Sequence, residues 1–196
     1  MGKYTQVRES TPKELQLNAG ILLKTFNPLT AEYDRADIFA ATTGGISFTD
    51  AITFKDLFED IDNMPKNTKE GKRIESRDIT MSGTALTITP ESAKVAMAAA
   101  DIDEADPTHL IPRDELTEDD FNDFWWVGDY SDKTGETNGG FCAIHIMNAL
   151  STGGFSLQTS DKAKGQFAFT YTAHFTVADI KKVPYEMYIK QGEAEE

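Results

Sequence analysis

The sequence has little that could cross-link it or anchor it in a membrane. Its single cysteine, Cys142, rules out a disulfide within the chain and fits a protein made in a reducing cytoplasm. Cys142 lies in a strand-like segment, so we expect it to be buried and inert. The longest apolar run, VAMAAA at 95–100, falls far short of the roughly 20 residues of a membrane helix. The N-terminal residues show no apolar segment of a secretory signal.

Catalytic and metal-binding motifs are also missing. The histidines, His109, His145 and His174, are far apart in sequence, and none pairs with another at metal-ligand spacing. His145 and His174 lie in predicted strands and could be neighbours, but a zinc ion would need more ligands than Cys142 alone adds to them. The segment DIDN (60–63) begins like a calcium loop, but Pro65 stands where the loop needs glycine. No nucleophile elbow, phosphate loop or dinucleotide fingerprint occurs. We therefore predict no enzyme activity, no metal and no cofactor.

Positive charge is scarce, and the formal net charge is −14. This balance argues against a protein that binds nucleic acid by neutralising phosphates, but not against one that DNA passes without sticking. The charge is unevenly distributed: residues 101–123 hold ten carboxylates and one base, Arg113. Residues 66–77 hold five bases and two acids. The two segments are either solvated loops or complementary surfaces that meet between copies of the chain.

Alternation of apolar and polar residues predicts a mainly β protein. It is clearest in QFAFTYTAHFTV (166–177), where Phe167, Phe169, Tyr171, Ala173, Phe175 and Val177 form one face. The predicted strand is about twice the usual length and lacks the charges that normally guard an edge strand. Further strands are predicted at 20–26, 37–42, 45–48, 73–89 with a bulge or bend near Gly83, 122–131, 140–150, 154–160 and 183–190, with a hairpin connection at 151–153.

One helix is predicted in TPESAKVAMAAAD, because Thr89 can cap it and Pro90 suits its first position. A short second helix is predicted after Thr117. Together these elements predict a single domain over 1–196, a two-sheet β-sandwich or barrel with one flanking α-helix. The polar, breaker-rich segment 50–73 is interpreted as a long extended arm, and residues 191–196 as a flexible acidic tail.

Aromatic residues cluster between 121 and 130. Trp125 and Trp126 are adjacent in a predicted strand, so their side chains point to opposite faces. With Tyr130 they favour packing and an interface between copies. The alternative is a platform for sugar rings.

Several segments, taken together and in order, resemble the major tail tube protein of long-tailed bacteriophages and prophages of Gram-positive bacteria. They are QLNAGILL (16–23), ATTGGISFTD (41–50), EDIDNMPKNTKEGKRI (59–74), DFWWVGDYSD (123–132) and NALSTGGFSLQTSDKAKGQFAFTYTAHF (148–175). The resemblance implies a β-sandwich whose copies join into hexameric rings with an inner β-barrel. Rings stack head to tail around a tape measure protein, and genomic double-stranded DNA later passes through the lumen. It also implies a long loop that reaches the adjacent ring, which 50–73 matches.

The resemblance gives roles to residues that the patterns single out. We expect Lys66, Lys69, Lys72 and Arg73 to meet Asp119 and Asp120 between rings, and Thr170, Thr172, His174 and Thr176 to line the lumen, with 73–89 as the rival lumen strand. The expected partners are further copies of the chain, the tape measure, tail terminator and distal tail or baseplate proteins, and DNA in transit, but no membrane. The expected location is the virion, after assembly in the host cytoplasm. The alternatives are the tube of a contractile or secretion-type injection system, and a carbohydrate-binding sandwich.

Overall fold

The chain folds mainly into β-strands, as predicted, in a computed structural model that describes residues 3–131 and 139–193. Within these residues there is one α-helix, α1, which covers Pro90–Ala96. The strands are β1 (Ile21–Leu23), β2 (Ile38–Ala40), β3 (Thr42–Asp56), β4 (Lys72–Ala85), β5 (Ala100–Ile102), β6 (Leu110–Pro112), β7 (Asn122–Tyr130), β8 (Gly140–Ser151), β9 (Ser156–Gln158), β10 (Gln166–Ala173) and β11 (Tyr185–Lys190). Short 3-10 turns lie at Thr11–Glu14, Arg35–Asp37, Lys69–Gly71 and Glu118–Asp120.

The strands form two layers that are joined through β8. The main sheet has the order β2-β1-β7-β8-β10-β4-β3, with β11 added to β8 and β9 to β10. The first part of β8 pairs with β7 and β11, and its last residues pair with β10. One layer is therefore β2-β1-β7-β8-β11, and the other is β9-β10-β4-β3. A separate pair, β5 and β6, extends from the end of α1.

The core lies between these layers. Phe124 of one layer stacks on Tyr171 of the other, with ring centroids 4.5 Å apart. Ile79 and Met81 of β4 are almost fully buried in the same cluster. Cys142 is buried as predicted, and burial raises the pKa of its thiol. Apolar contact between the two inner faces is therefore what holds the sandwich together.

The helix begins where the sequence predicts. The Thr89 side chain accepts a hydrogen bond from the Ser92 N–H, the Ser92 Oγ accepts one from the Thr89 N–H, and Pro90 occupies the first turn. The helix is shorter than the segment predicted for it, because it ends at Ala96 and Ala100 belongs to β5. The second predicted helix is only the 3-10 turn Glu118–Asp120, which starts after Thr117 as expected.

The prediction of a free strand over 166–177 is wrong in two respects. Strand β10 ends at Ala173, and Phe175 and Val177 are exposed beyond it. It is also not an edge, since β4 pairs with one side of it and β8 and β9 with the other. Its apolar face is confirmed as far as Ala173, because Phe169 and Tyr171 are buried in the core.

Two predicted connections also differ. The expected hairpin at 151–153 does not form; instead β8 and β9 lie one after the other along the same side of β10. The bend predicted near Gly83 is confirmed as a bulge, but the extra residues are on the partner strand. Gly44 and Gly45 are both left-handed, with φ +75° and +79°, and interrupt the register opposite Gly83. They lie within one continuous strand, where the sequence predicts a turn between two.

The arm predicted at 50–73 is mostly a β-hairpin. Strands β3 and β4 remain paired out to Asp56 and Lys72, and residues 57–71 form the tip. Almost all residues from Ala51 to Asp78 are exposed or half-buried. The arm is thus a two-stranded ribbon rather than an irregular loop. Part of the predicted acidic tail, residues 194–196, lies outside the described residues.

Candidate assembly surfaces

The outer face of the β3–β4–β10 layer is covered with hydroxyl groups. In cross-strand register, Ser47 lies beside Ser82, which lies beside Thr170. One step along, Thr49, Thr80 and Thr172 form the next row. Because alternate residues of a strand share a face, these rows lie on the side away from the core.

This hydroxyl face contains residues from both predicted lumen strands, Thr170 and Thr172 of β10 and Thr80 and Ser82 of the rival segment 73–89. The Thr172 hydroxyl also hydrogen-bonds the Thr152 hydroxyl at 2.7 Å. The next residue of β4 on this face is the charged Asp78, at the ribbon end, opposite Ala51. Sequence reasoning selected Thr170 and Thr172 but missed the matching residues of β3. Their alternation was readable in ISFTDAIT, although the two glycines before it obscured the strand.

The other two predicted lumen residues lie elsewhere. The His174 ring contacts Phe121 edge to face at 5.4 Å, and its Nδ1 lies 3.2 Å from the Asn148 carbonyl oxygen. Thr176 belongs to an isolated bridge with Asp179 in the turn after β10. The hydroxyl face therefore does not include them, because the strand ends before it reaches them.

The unguarded edge is on β3. Strand β3 pairs with β4 on one side, and no other strand of residues 3–131 and 139–193 pairs with its outer side. From Ile46 to Thr53 it contains no proline or lysine, the residues that usually block edge pairing. Its one charged residue there, Asp50, binds Arg77 on the inner face. Every second residue of this edge thus offers an N–H and a C=O to another strand.

The predicted basic residues lie at the tip of the ribbon. Lys66 and Lys69 are exposed, and the Lys72 Nζ donates a hydrogen bond to the Asn67 Oδ1 at 2.5 Å. The Arg73 guanidinium donates to the carbonyl oxygen of Glu70 at 2.9 Å. The structure therefore places all four predicted cations together on a projecting element. Their contact with another ring stays a prediction.

The predicted acidic partners differ from each other. Asp119 is exposed, but Asp120 is 4% exposed and its Oδ1 accepts a hydrogen bond from the Arg113 Nη2 at 2.7 Å. Burial alone raises the pKa of Asp120, but hydrogen bonds from Thr117 and Arg113 outweigh it and lower that pKa. Asp120 is thus an internal anchor, and the free carboxylates of this surface are Asp119 and its exposed neighbours.

The aromatic residues favour packing over a sugar platform. Trp125 is 8% exposed and lies parallel to the His145 ring, with centroids 4.1 Å apart. Trp126 points to the opposite face, as predicted, and its Nε1 donates to the carbonyl oxygen of Ala19 at 3.0 Å. Tyr130 is half-buried where Gln16 bridges to it. Trp125 therefore offers no open face on which a sugar ring could stack, and the carbohydrate-binding alternative is left with the half-buried Trp126 of the pair.

A cleft of about 520 Å³ opens between α1, β2 and the start of β7. Phe39, Val95 and Phe124 are among the apolar side chains that line it. At its rim the Lys24 Nζ lies 2.5 Å from the Glu91 carboxylate. The charged groups of the cleft are thus partly paired with each other. In the described part of the chain, no cluster of His, Cys, Asp and Glu has a metal-binding arrangement.

Comparisons with known proteins add little to this geometry. No protein-family model matches the sequence, and no curated protein matches it. The chain is similar to a solved structure described as the virion of a native gene transfer agent particle. The identity is 10% and the TM-score 0.39, over 81% of this chain and 92% of the other. At that level the likeness carries no functional argument. No helix among the described residues is long and apolar enough to cross a membrane.

Proposed function

We propose that this chain is a structural virion protein, the subunit of a phage-type tail tube. Copies pair edge to edge into hexameric rings, the rings stack, and double-stranded DNA passes through the resulting channel. The observation that carries the proposal is the combination of an unpaired β3 edge with an uncharged hydroxyl face on the same layer. Sheet growth through that edge produces a wall whose face is already suited to a channel.

The ring geometry follows from the edges of this layer. The layer has four strands, and its two edges are β3 and β9. If β3 of one copy pairs with the β9 side of the next, the contact is heterologous, the type that forms a ring when the rotation between copies closes. Six copies of four strands, at a spacing of about 4.8 Å, give a barrel roughly 37 Å across before strand tilt widens it. Such a barrel admits a DNA duplex.

The chemistry of the hydroxyl face suits transit rather than binding. Serine and threonine side chains are short and neutral, so they leave the channel open and hold no phosphate by charge. The net charge of −14 adds a negative potential that disfavours phosphate contact. The further partners we propose are the tape measure protein inside the tube and the terminator and distal tail or baseplate proteins at its ends.

Stacking uses the ribbon tip in this proposal. Reversing Lys66, Lys69 and Lys72 to glutamate places like charges opposite the acidic surface around Asp119, so tube growth stops while the monomer stays folded. Electron microscopy scores the tubes and circular dichroism the fold. The control makes the same charge change at Lys162, Lys164 and Lys181 and keeps normal tubes. Normal growth of the tip variant would show that the tip is not the stacking contact.

The edge proposal is tested by hydrogen exchange on assembled and unassembled protein. The purified chain is concentrated and imaged, and tubes with a central channel are expected. In the unassembled protein the amides of 46–53 that point away from β4 exchange quickly, and assembly slows them at least tenfold. The amides of β8 serve as the reference, because they are paired in both states. Tubes that leave the 46–53 amides unprotected would exclude pairing through this edge, and a chain that stays monomeric under all conditions would exclude the tube.

A further inference from the structure

Contact between β3 of one layer and β11 of the other is limited to the start of β11. The Tyr185 ring, at the start of β11, lies 5.1 Å from the Phe48 ring of β3. The Tyr185 hydroxyl donates to the Asp50 Oδ2 at 3.1 Å, and Arg77 binds the same oxygen. Up to this point the inner faces of β3 and β11 contact each other.

Beyond it, both inner faces are apolar and uncovered. β3 and β11 run in the same direction, because four successive antiparallel pairings connect them: β3 with β4, β4 with β10, β10 with β8, and β8 with β11. Two and four residues past Tyr185, Met187 and Ile189 are 52% and 57% exposed. Phe54 of β3 and its register partner Ile74 are each 53% exposed. By alternation these side chains belong to the faces that meet at Tyr185.

The ribbon turns away from its own β11 for structural reasons. Past Asp50 it consists of only two strands, and two-stranded ribbons twist more strongly than wide sheets. A bulge adds to the twist, because Thr53 pairs with Ser76 while Phe54 pairs with Ile74, leaving Glu75 as the extra residue. The chain therefore has two exposed apolar rows, one on the ribbon and one on β11, and neither row covers the other.

We propose that, in the ring, the underside of one ribbon, Phe54 and Ile74, docks on Met187 and Ile189 of the neighbouring copy. The inference rests on the proposed function and adds a second contact to the β3 edge. The two rows continue an interface that already exists between the layers of one chain, and each copy supplies one row of each kind. A contact between unlike surfaces of identical copies is what ring closure requires.

Cysteine cross-linking tests this contact. Cys142 lies directly opposite Ile189 in the sheet, so it is first replaced by alanine, and Met187 rather than Ile189 receives the new thiol. The variant Phe54→Cys, Met187→Cys is assembled and oxidised. We expect a ladder of covalent oligomers that reaches the ring size, and no cross-link in dilute monomer. The control Thr53→Cys, Met187→Cys carries its thiol on the other face of the ribbon and gives at least tenfold less cross-linking.

The outcomes separate this inference from the tube itself. Tubes of the Cys142→Ala parent, scored by electron microscopy, test the proposed function alone. Tubes in which the Phe54 and Met187 cysteines form no bond would overturn the docking while leaving the tube intact. A disulfide within dilute monomer would overturn it too, because the ribbon would then cover its own β11. Equal cross-linking through the Thr53 cysteine would mean that the contact does not distinguish the ribbon faces.

Discussion

Arg113 holds the acidic surface in shape, and its removal gives the most sharply defined prediction. Its Nη2 donates a hydrogen bond to Asp120 at 2.7 Å, its Nε lies 2.8 Å from the Asp101 Oδ2 as an ion pair, and its Nη1 donates to the carbonyl oxygen of Glu115. One guanidinium thus ties together β5, the loop after β6 and the turn that leads into β7. We expect Arg113→Ala to destabilise the fold and to loosen the surface around Asp119.

The magnitude follows from what each partner loses. The Asp120 side chain is 1% exposed, and removing one member of a buried ion pair costs about 3–5 kcal/mol. Asp120 keeps its hydrogen bond from the Thr117 N–H, so the lower end, about 3 kcal/mol, applies. The exposed Asp101 contact adds less than about 1 kcal/mol. For a chain of this size the sum, about 3–4 kcal/mol, corresponds to a fall in Tm of roughly 6–16 °C.

The assay is urea unfolding of the monomer, with Asp101→Asn as the matched control that removes only the exposed contact. The pH dependence has a definite sign. Because the folded-state pKa of Asp120 is lowered, its contribution is complete above the unfolded value of about 4 and is lost as pH falls through the folded value. The stability difference between wild type and Asp120→Asn therefore shrinks below about pH 4. If Arg113→Ala costs no more than the control, the buried pair does not stabilise the fold as argued.

Two further substitutions test the packing that supports the proposed surfaces. His145→Ala removes the ring stacked on Trp125, so we expect a loss of about 1–2 kcal/mol and a change in tryptophan fluorescence; unchanged fluorescence would contradict the stacking. Gly83→Ala puts a methyl group 2.8 Å from the Phe169 ring, and we expect about 1–3 kcal/mol of destabilisation by thermal melting. An unaffected melt would mean that the ring moves aside freely.

Local patterns in the sequence were enough to predict the fold class and most of the strands. Residues 122–131 are rich in aromatic side chains and 140–150 in apolar ones, and both became strands with nearly the predicted ends. The helix start was equally readable, since Thr89 and Pro90 are local signals. These features depend on neighbours in the chain, which a single sequence displays.

Pairing partners were not readable in the same way. The prediction that 166–177 is a free edge failed because the strands that cover it, β4 and β8, are distant in sequence. The long unguarded edge is instead β3, whose pattern is interrupted by Gly44 and Gly45. The role of Asp120 was missed for a similar reason. Ten carboxylates in one segment look alike until the fold shows which of them Arg113 reaches.

Strand β8 serves both layers, since its first residues pair with β7 and β11 and its last with β10. Its backbone is therefore a covalent tie between the layer that carries the hydroxyl face and the other layer. A load pulling the proposed tube lengthwise reaches the other layer through that tie. If the strands of the proposed wall run along the tube, that load shears many hydrogen bonds at once instead of opening them one by one. We then expect the subunit to resist stretching without a disulfide.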